Sequence, residues 1–135
     1  MKPYLSFLIF LGLLWVPGGL AGQEANMASF DPAFTHVVYF WLRNPDDQAE
    51  CREFEAAVRE LMSKSRYTKT NFFGRPPEAS REVVDDSFTY TMIVTFASAA
   101  AQNAYQEEQA HLDFIARAGH LWEKVVVYDA QGIPE

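Results

Sequence analysis

The sequence predicts an α+β protein: a ferredoxin-like β-α-β-β-α-β subunit with an antiparallel sheet. Three observations lead there. Residues 88–96 alternate Phe88, Tyr90, Met92, Val94 and Phe96 against Thr89, Thr91, Ile93 and Thr95, the period-two pattern of a half-buried strand. Residues 44–66 carry apolar side chains at three- and four-residue spacings instead, which is helical. The strand-like runs also fall before, between and after two helical stretches, which fixes the order of elements.

The first 22 residues are read as an export segment rather than as part of the fold. Lys2 supplies a positive start, Leu5 to Val16 is densely apolar, and Pro17-Gly-Gly breaks the run before small residues suited to cleavage. The run is shorter than the ~20 apolar residues of a membrane-spanning helix, so cleavage leaves no stable membrane anchor. The mature protein is then expected outside the cytoplasm, periplasmic or secreted. Residues 23–34 form a polar, loosely ordered leader, residues 35–130 the domain and residues 131–135 a tail.

Lys2 is the only charged residue in the export segment, so the remainder has 10 basic against 18 acidic residues, a net −8. Such a chain lacks the positive footprint that phosphate backbones demand, which argues against nucleic acid as a partner. Anionic membrane surfaces are disfavoured for the same reason. Cys51 is the only cysteine, so no internal disulfide forms, and its place on the apolar side of a helix suits a small buried hydrophobe.

Taken in order, residues 35–43 form the first strand. One face carries His36, Val38, Phe40 and Leu42, the other Val37, Tyr39 and Trp41, and both faces need cover. Asn44 is placed as the cap of the following helix and Pro45 as its first residue, with Asp46 and Asp47 at the positive end of the dipole. Cys51, Phe54, Val58, Leu61 and Met62 make its inner face. Residues 67–73 give a second strand. Residues 75–87, with Pro76-Pro77, give a surface loop that serves as a flap or as a solvated connector. After the strand at 88–96, Ser98 caps an alanine-rich helix carrying Tyr105, and a turn then returns His111. The β-branched run at residues 123–129 closes the chain as a final strand.

Large apolar side chains on the sheet face away from the helices, above all Tyr39 and Trp41, mark an association surface. A homodimer through that face is expected.

Several stretches in this order resemble the stress-responsive A/B barrel (Dabb) family: His36-Val-Val-Tyr-Phe, Thr91-Met-Ile-Val-Thr-Phe96 leading to Tyr105, Gln109-Ala-His111, and Trp122-Glu-Lys-Val-Val-Val-Tyr-Asp129. The resemblance covers nearly all of the mature chain. It implies a ferredoxin-like subunit whose sheets pair across a dimer into a barrel. It also implies similarity to a plant branch of cofactor-independent polyketide cyclases of the olivetolic acid type, which close aromatic rings by an aldol step. Tyr105 and His111 match that branch's tyrosine–histidine pair, His36 matches its first-strand histidine, and Phe114 and Trp122 fall where it lines its cavity. Tyr90 stands where the branch has a further histidine, and export separates this chain from enzymes that work inside cells.

The chemistry of the pair stands without the family. A neutral imidazole accepts a proton at ambient pH, and a tyrosine hydroxyl donates to a carbonyl gaining negative charge. The candidate catalytic residues are therefore Tyr105 and His111. His36, Val38, Phe40, Tyr90, Met92, Phe114 and Trp122 are the candidate walls of a pocket for an apolar or aromatic small molecule. No cofactor is implied, and no His-x-x-x-His or His-x-His spacing supports a metal. The competing reading leaves His111 as a structural histidine and Tyr105 as a core residue, in a non-catalytic stress or interaction module with a filled core. His120, beside Gly119, reads as a surface residue.

Overall fold

The computed structural model describes residues 33–133. In chain order these form β1 (Phe34–Leu42), α1 (Gln48–Lys64), β2 (Thr68–Gly74), β3 (Tyr90–Phe96), α2 (Ala99–Glu107), α3 (Gln109–Ala118) and β4 (Trp122–Gln131). Residues 1–22, expected to direct export, and all but the end of the leader lie outside the described residues. Among the described residues no helix is long and apolar enough to cross a membrane.

The four strands make one antiparallel sheet in the order β2-β3-β1-β4, so the two-sided apolar strand β1 is interior. Alternation sends Phe34, His36, Val38, Phe40 and Leu42 to the helix-covered face, where all five are buried. Register places Val94 beside His36, Met92 beside Val38 and Tyr90 beside Phe40 on that face. From β4 the same face receives Asp129, Val127 and Val125. A bulge at Trp41/Leu42 then shifts the pairing so that Leu42 meets Trp122. One extra residue in a strand reverses the facing of the residues beyond it, and here it turns the Trp122 indole onto the helix side.

Helix α1 packs its Cys51, Phe54, Ala57, Val58 and Leu61 face on the sheet. Phe54 is the hub: its ring lies 5.0 Å from Phe40, 5.2 Å from Tyr90 and 6.1 Å from Trp122. Truncating so enclosed a ring to alanine costs about 3–5 kcal/mol. Cys51 is buried as expected, its Sγ donating to the Pro45 carbonyl oxygen at 3.3 Å.

Two local readings need correction. Helix α1 is capped by Asp47, whose carboxylate accepts from the Ala49 and Glu50 amides at 2.8 and 3.2 Å, while Asn44 and Pro45 precede it in a turn. Asn44 instead donates from Nδ2 to the Glu50 carboxylate. Asn and Asp cap about equally well, and the turn through Pro45, closed by Asp47 N on the Asn44 carbonyl, leaves Asp47 at the helix start. The second helical region, in turn, is not a helix followed by a turn but two helices. Glu108 adopts extended backbone (ψ 148°), ends α2 and starts α3, so His111 sits in the first turn of a helix. Ser98 does cap α2, accepting from the Ala101 amide at 3.1 Å.

Phe88 and Thr89 precede β3 rather than belonging to it. Phe88 crosses to the open face and packs on Tyr39 at 4.8 Å between ring centroids. On that face Trp41 donates from its indole to Ser87 Oγ at 3.2 Å and lies under Lys124 Nζ at 4.0 Å. Residues 75–87 contain no strand or helix, and their two ends are tied to opposite faces of the sheet.

Candidate functional site: a cleft between the second helical pair and the sheet

The site begins with spacing on α2. Gln102 and Tyr105, one turn apart, are its two buried side chains. The break at Glu108 then redirects the chain: its amide donates to the Tyr105 carbonyl, and its own carbonyl accepts from the His111 and Leu112 amides. The His111 ring is thereby brought to 4.7 Å from the Tyr105 ring. Tyr105 also contacts His36 at 6.1 Å and Phe96 at 5.0 Å, so the tyrosine ring touches both imidazoles.

Beside these rings lies a cleft of about 270 Å³ between α2, α3 and the β1–β4 side of the sheet. The expected His36, Val38, Phe40, Met92, Phe114 and Trp122 line it, together with His111. Tyr105 does not reach the void. It is fully buried behind the two imidazoles, and its hydroxyl has no hydrogen-bond partner among the described residues.

Tyr90 is placed differently from expectation. It shares the helix-covered face with Met92, but its hydroxyl donates to Glu55 Oε1 at 2.8 Å and accepts from Arg75, whose guanidinium also lies over its ring. Its ring stacks on Phe73 at 5.1 Å. A buried phenol takes the nearest strong acceptor, and α1 supplies Glu55, so Tyr90 anchors residue 75 of the loop instead of walling the cleft.

Polar groups missed in the sequence complete the cleft: Asp129, Gln102 and Gln106 line it, and Ile115, Val125 and Val127 extend its apolar wall. Asp129 had a usable signal. In an antiparallel β1–β4 pair it shares the parity of Val125 and Val127 and falls opposite His36. His36 Nδ1 and Asp129 Oδ1 are 2.6 Å apart. His111 Nδ1 is 3.2 Å from the Gln106 carbonyl oxygen, which can only accept, so Nδ1 carries the proton and Nε2 keeps its lone pair.

Burial holds His111 below the ordinary imidazole value, and His36 adds to this, while the Gln106 carbonyl and Glu108 pull the other way. Burial pushes the Tyr105 hydroxyl well above the usual phenol value, with the Glu108 charge assisting. Near neutral pH the pair is thus a neutral imidazole beside a protonated phenol. His120 is exposed in the turn after α3, as expected of a surface residue. Among the described residues no three His, Cys, Asp or Glu side chains converge as a shared metal ion requires.

A larger groove, about 440 Å³, runs between α1 and α3. Its cations are spent on Glu60, which takes both Lys64 and Arg117, and Asp113 accepts from Gln109. The His36–His111 cleft instead sets convergent polar groups within apolar walls.

Comparison with solved structures returns the same fold from several organisms. A hydroxynitrile lyase from Passiflora edulis superposes with a TM-score of 0.64 at 23% identity, covering 78% of this chain and 97% of that one. A Dabb-family protein with a ferredoxin-like fold from Mesorhizobium loti gives 0.63 at 19% identity, covering 77% and 100%. A dimeric ferredoxin-like protein from Thermobifida fusca gives 0.61 at 13% identity, covering 76% and 94%. No protein among those curated matches the chain. The model of the Stress responsive A/B Barrel Domain (Dabb) family matches residues 34–131, the whole of the sheet and its helices, and the chain belongs to that family.

Proposed function

We propose that this protein is an exported, homodimeric A/B barrel that binds an apolar or aromatic small molecule in the cleft between α2, α3 and the sheet. The observation that carries the reading is the cleft itself: a void of about 270 Å³ with apolar walls, into which His36, His111 and Asp129 converge. A filled core at that place belongs to the competing picture of a non-catalytic module. Replacing His111 with alanine is expected to abolish binding of an aromatic probe with little loss of stability. A purely structural histidine gives the reverse, because its loss leaves a buried partner unpaired.

A second reading, cofactor-independent proton transfer, is favoured by the His111 tautomer. Its Nδ1 proton is engaged by Gln106, its Nε2 is free, and burial keeps the ring neutral. In this reading Nε2 abstracts a proton from a carbon next to a carbonyl, and the Tyr105 hydroxyl stabilises the enolate oxygen after a small movement into the cleft. The enolate carbon then adds to a second carbonyl, and the alkoxide formed takes the proton back from His111 Nε2. A hydroxynitrile lyase is among the proteins that share this fold. Proton exchange at the α-carbon of an aromatic ketone, lost in both His111→Ala and Tyr105→Phe, is the expected signature.

The homodimer is assigned to the sheet face away from the helices. Tyr39 and Trp41 are half-buried there, with Tyr128 and Phe72 more exposed beside them. Aromatic side chains dominate such interface cores. Light scattering is expected to give twice the subunit mass, and Tyr39→Glu is expected to yield monomer or aggregate. Export is tested by sequencing the N-terminus of protein from its host, where an intact Met1 on cytoplasmic protein contradicts it.

A further inference from the structure

The chemistry of the cleft wall narrows the class of ligand, given the small-molecule reading above. We propose that the cleft takes ligands whose polar head donates hydrogen bonds (a phenol, an alcohol or an ammonium group) and rejects carboxylates. Its polar lining consists of His36, His111, Gln102, Gln106 and Asp129, with no lysine or arginine among the described residues around it.

The Nδ1 donors of both imidazoles on that wall are already engaged. His36 gives its Nδ1 proton to Asp129 and His111 gives its own to the Gln106 carbonyl, so neither Nδ1 proton is left for a ligand. Asp129 uses one carboxylate oxygen on His36 and has the second to offer. Behind His111 lies another carboxylate, Glu108, whose Oε2 accepts from the Arg66 amide while Oε1 is buried without a partner. The nearby cations are committed elsewhere: Lys64 and Arg117 to Glu60, and Arg75 to Glu55 and Tyr90.

An anion entering this cleft meets the Asp129 carboxylate, with Glu108 behind His111, and only the Gln102 and Gln106 amides remain as uncommitted donors. Charge buried without a counter-charge is costly, whereas a hydroxyl or ammonium group finds acceptors already in place. The preference differs from bulk repulsion by an acidic protein, since it depends on one residue, Asp129.

Three probes of one shape decide it: 4-ethylphenol, 4-ethylbenzylamine and 4-ethylbenzoate, titrated into the full chain by calorimetry at about pH 7.5, where the phenol is neutral, the amine protonated and the benzoate ionised. The phenol and amine are expected to bind, with the benzoate weaker by about tenfold or more. Asp129→Asn is expected to weaken the amine and narrow the benzoate gap. If that variant does not fold, the wild-type order alone decides. Benzoate binding as tightly as the phenol overturns the inference and leaves the small-molecule reading intact. An unchanged ratio in a folded Asp129→Asn protein overturns the role of Asp129. Binding of none of the three overturns the small-molecule reading and this inference with it.

Discussion

His36 on β1 is held by Asp129 on β4, Nδ1 to Oδ1 at 2.6 Å, with the imidazole buried and the carboxylate side chain 42% exposed. The pair sits where two adjacent strands in register bring a ring and an acceptor together on the helix-covered face. Removing one member of a buried hydrogen-bonded pair leaves the other unsatisfied. Asp129→Ala is therefore expected to cost about 1–3 kcal/mol in urea denaturation. His36→Phe, which removes the stranded donor as well, is expected to cost less in stability but to lose the same ligand binding. Equal stability of Asp129→Ala and wild type contradicts the pairing.

The His111 ring gives a pH dependence of known sign. Its folded pKa lies below the ordinary 6.5, chiefly through burial. The unfolded chain therefore binds more protons between the two values, and stability falls as pH drops from about 6.5 through the folded pKa. Wild type is expected to lose stability on acidification over that window, and His111→Gln to lose less. Glu108→Gln removes a charge that favours imidazolium, so it is expected to move the His111 NMR titration to still lower pH. A titration that moves upward contradicts the placement of Glu108.

Tyr105 is fully buried with an unpartnered hydroxyl. A buried donor without an acceptor is a cost already present in the folded state, so Tyr105→Phe is expected to be neutral or to stabilise by up to about 1 kcal/mol. If the hydroxyl serves a ligand or a developing enolate, binding or proton exchange falls in the same variant. A loss of stability above about 1 kcal/mol shows instead that the hydroxyl is hydrogen-bonded in solution.

Tyr90, Glu55 and Arg75 form the latch of the loop at residues 75–87. The Tyr90 bond is the leading cause of the lowered Glu55 pKa, and Arg75 reinforces it. Tyr90→Phe is expected to cost about 0.5–1.5 kcal/mol and to speed proteolysis within the loop. Because Tyr90 lies outside the cleft, ligand affinity is expected to stay within about twofold of wild type, a difference well under 1 kcal/mol. A tenfold loss of affinity returns Tyr90 to the site.

The fold is written in patterns that survive without coordinates. Alternation in β1 and β3, the apolar stripe from Cys51 to Leu61 and the β-branched run of β4 each declare an element and its inner face. What the patterns lack is position along a face. Tyr90 and Met92 share a parity, yet only Met92 reaches the cleft, because Glu55 on α1 captures the Tyr90 hydroxyl. Asp129 shows the converse: its parity was readable, but its use depends on the register that sets it opposite His36. The end of α2 before His111 was legible as a turn, but α3 beyond it was not, because Glu108, which starts it, makes no side-chain cap bond to mark a second helix. Asp47 over Asn44 as the cap of α1 is a contest between two good residues, settled by the turn at Pro45.

The central claim, a ligand cleft built on His36 and His111, is tested most directly by imidazole NMR. The chain has three histidines, and the third, His120, is exposed in the turn after α3 and serves as the internal control. On titration with 4-ethylphenol, the ring signals of His36 and His111 are expected to shift together and saturate at one dissociation constant while His120 stays still. Shifts at His120 alone, or no saturable shift at His36 and His111, contradict the cleft as a binding site.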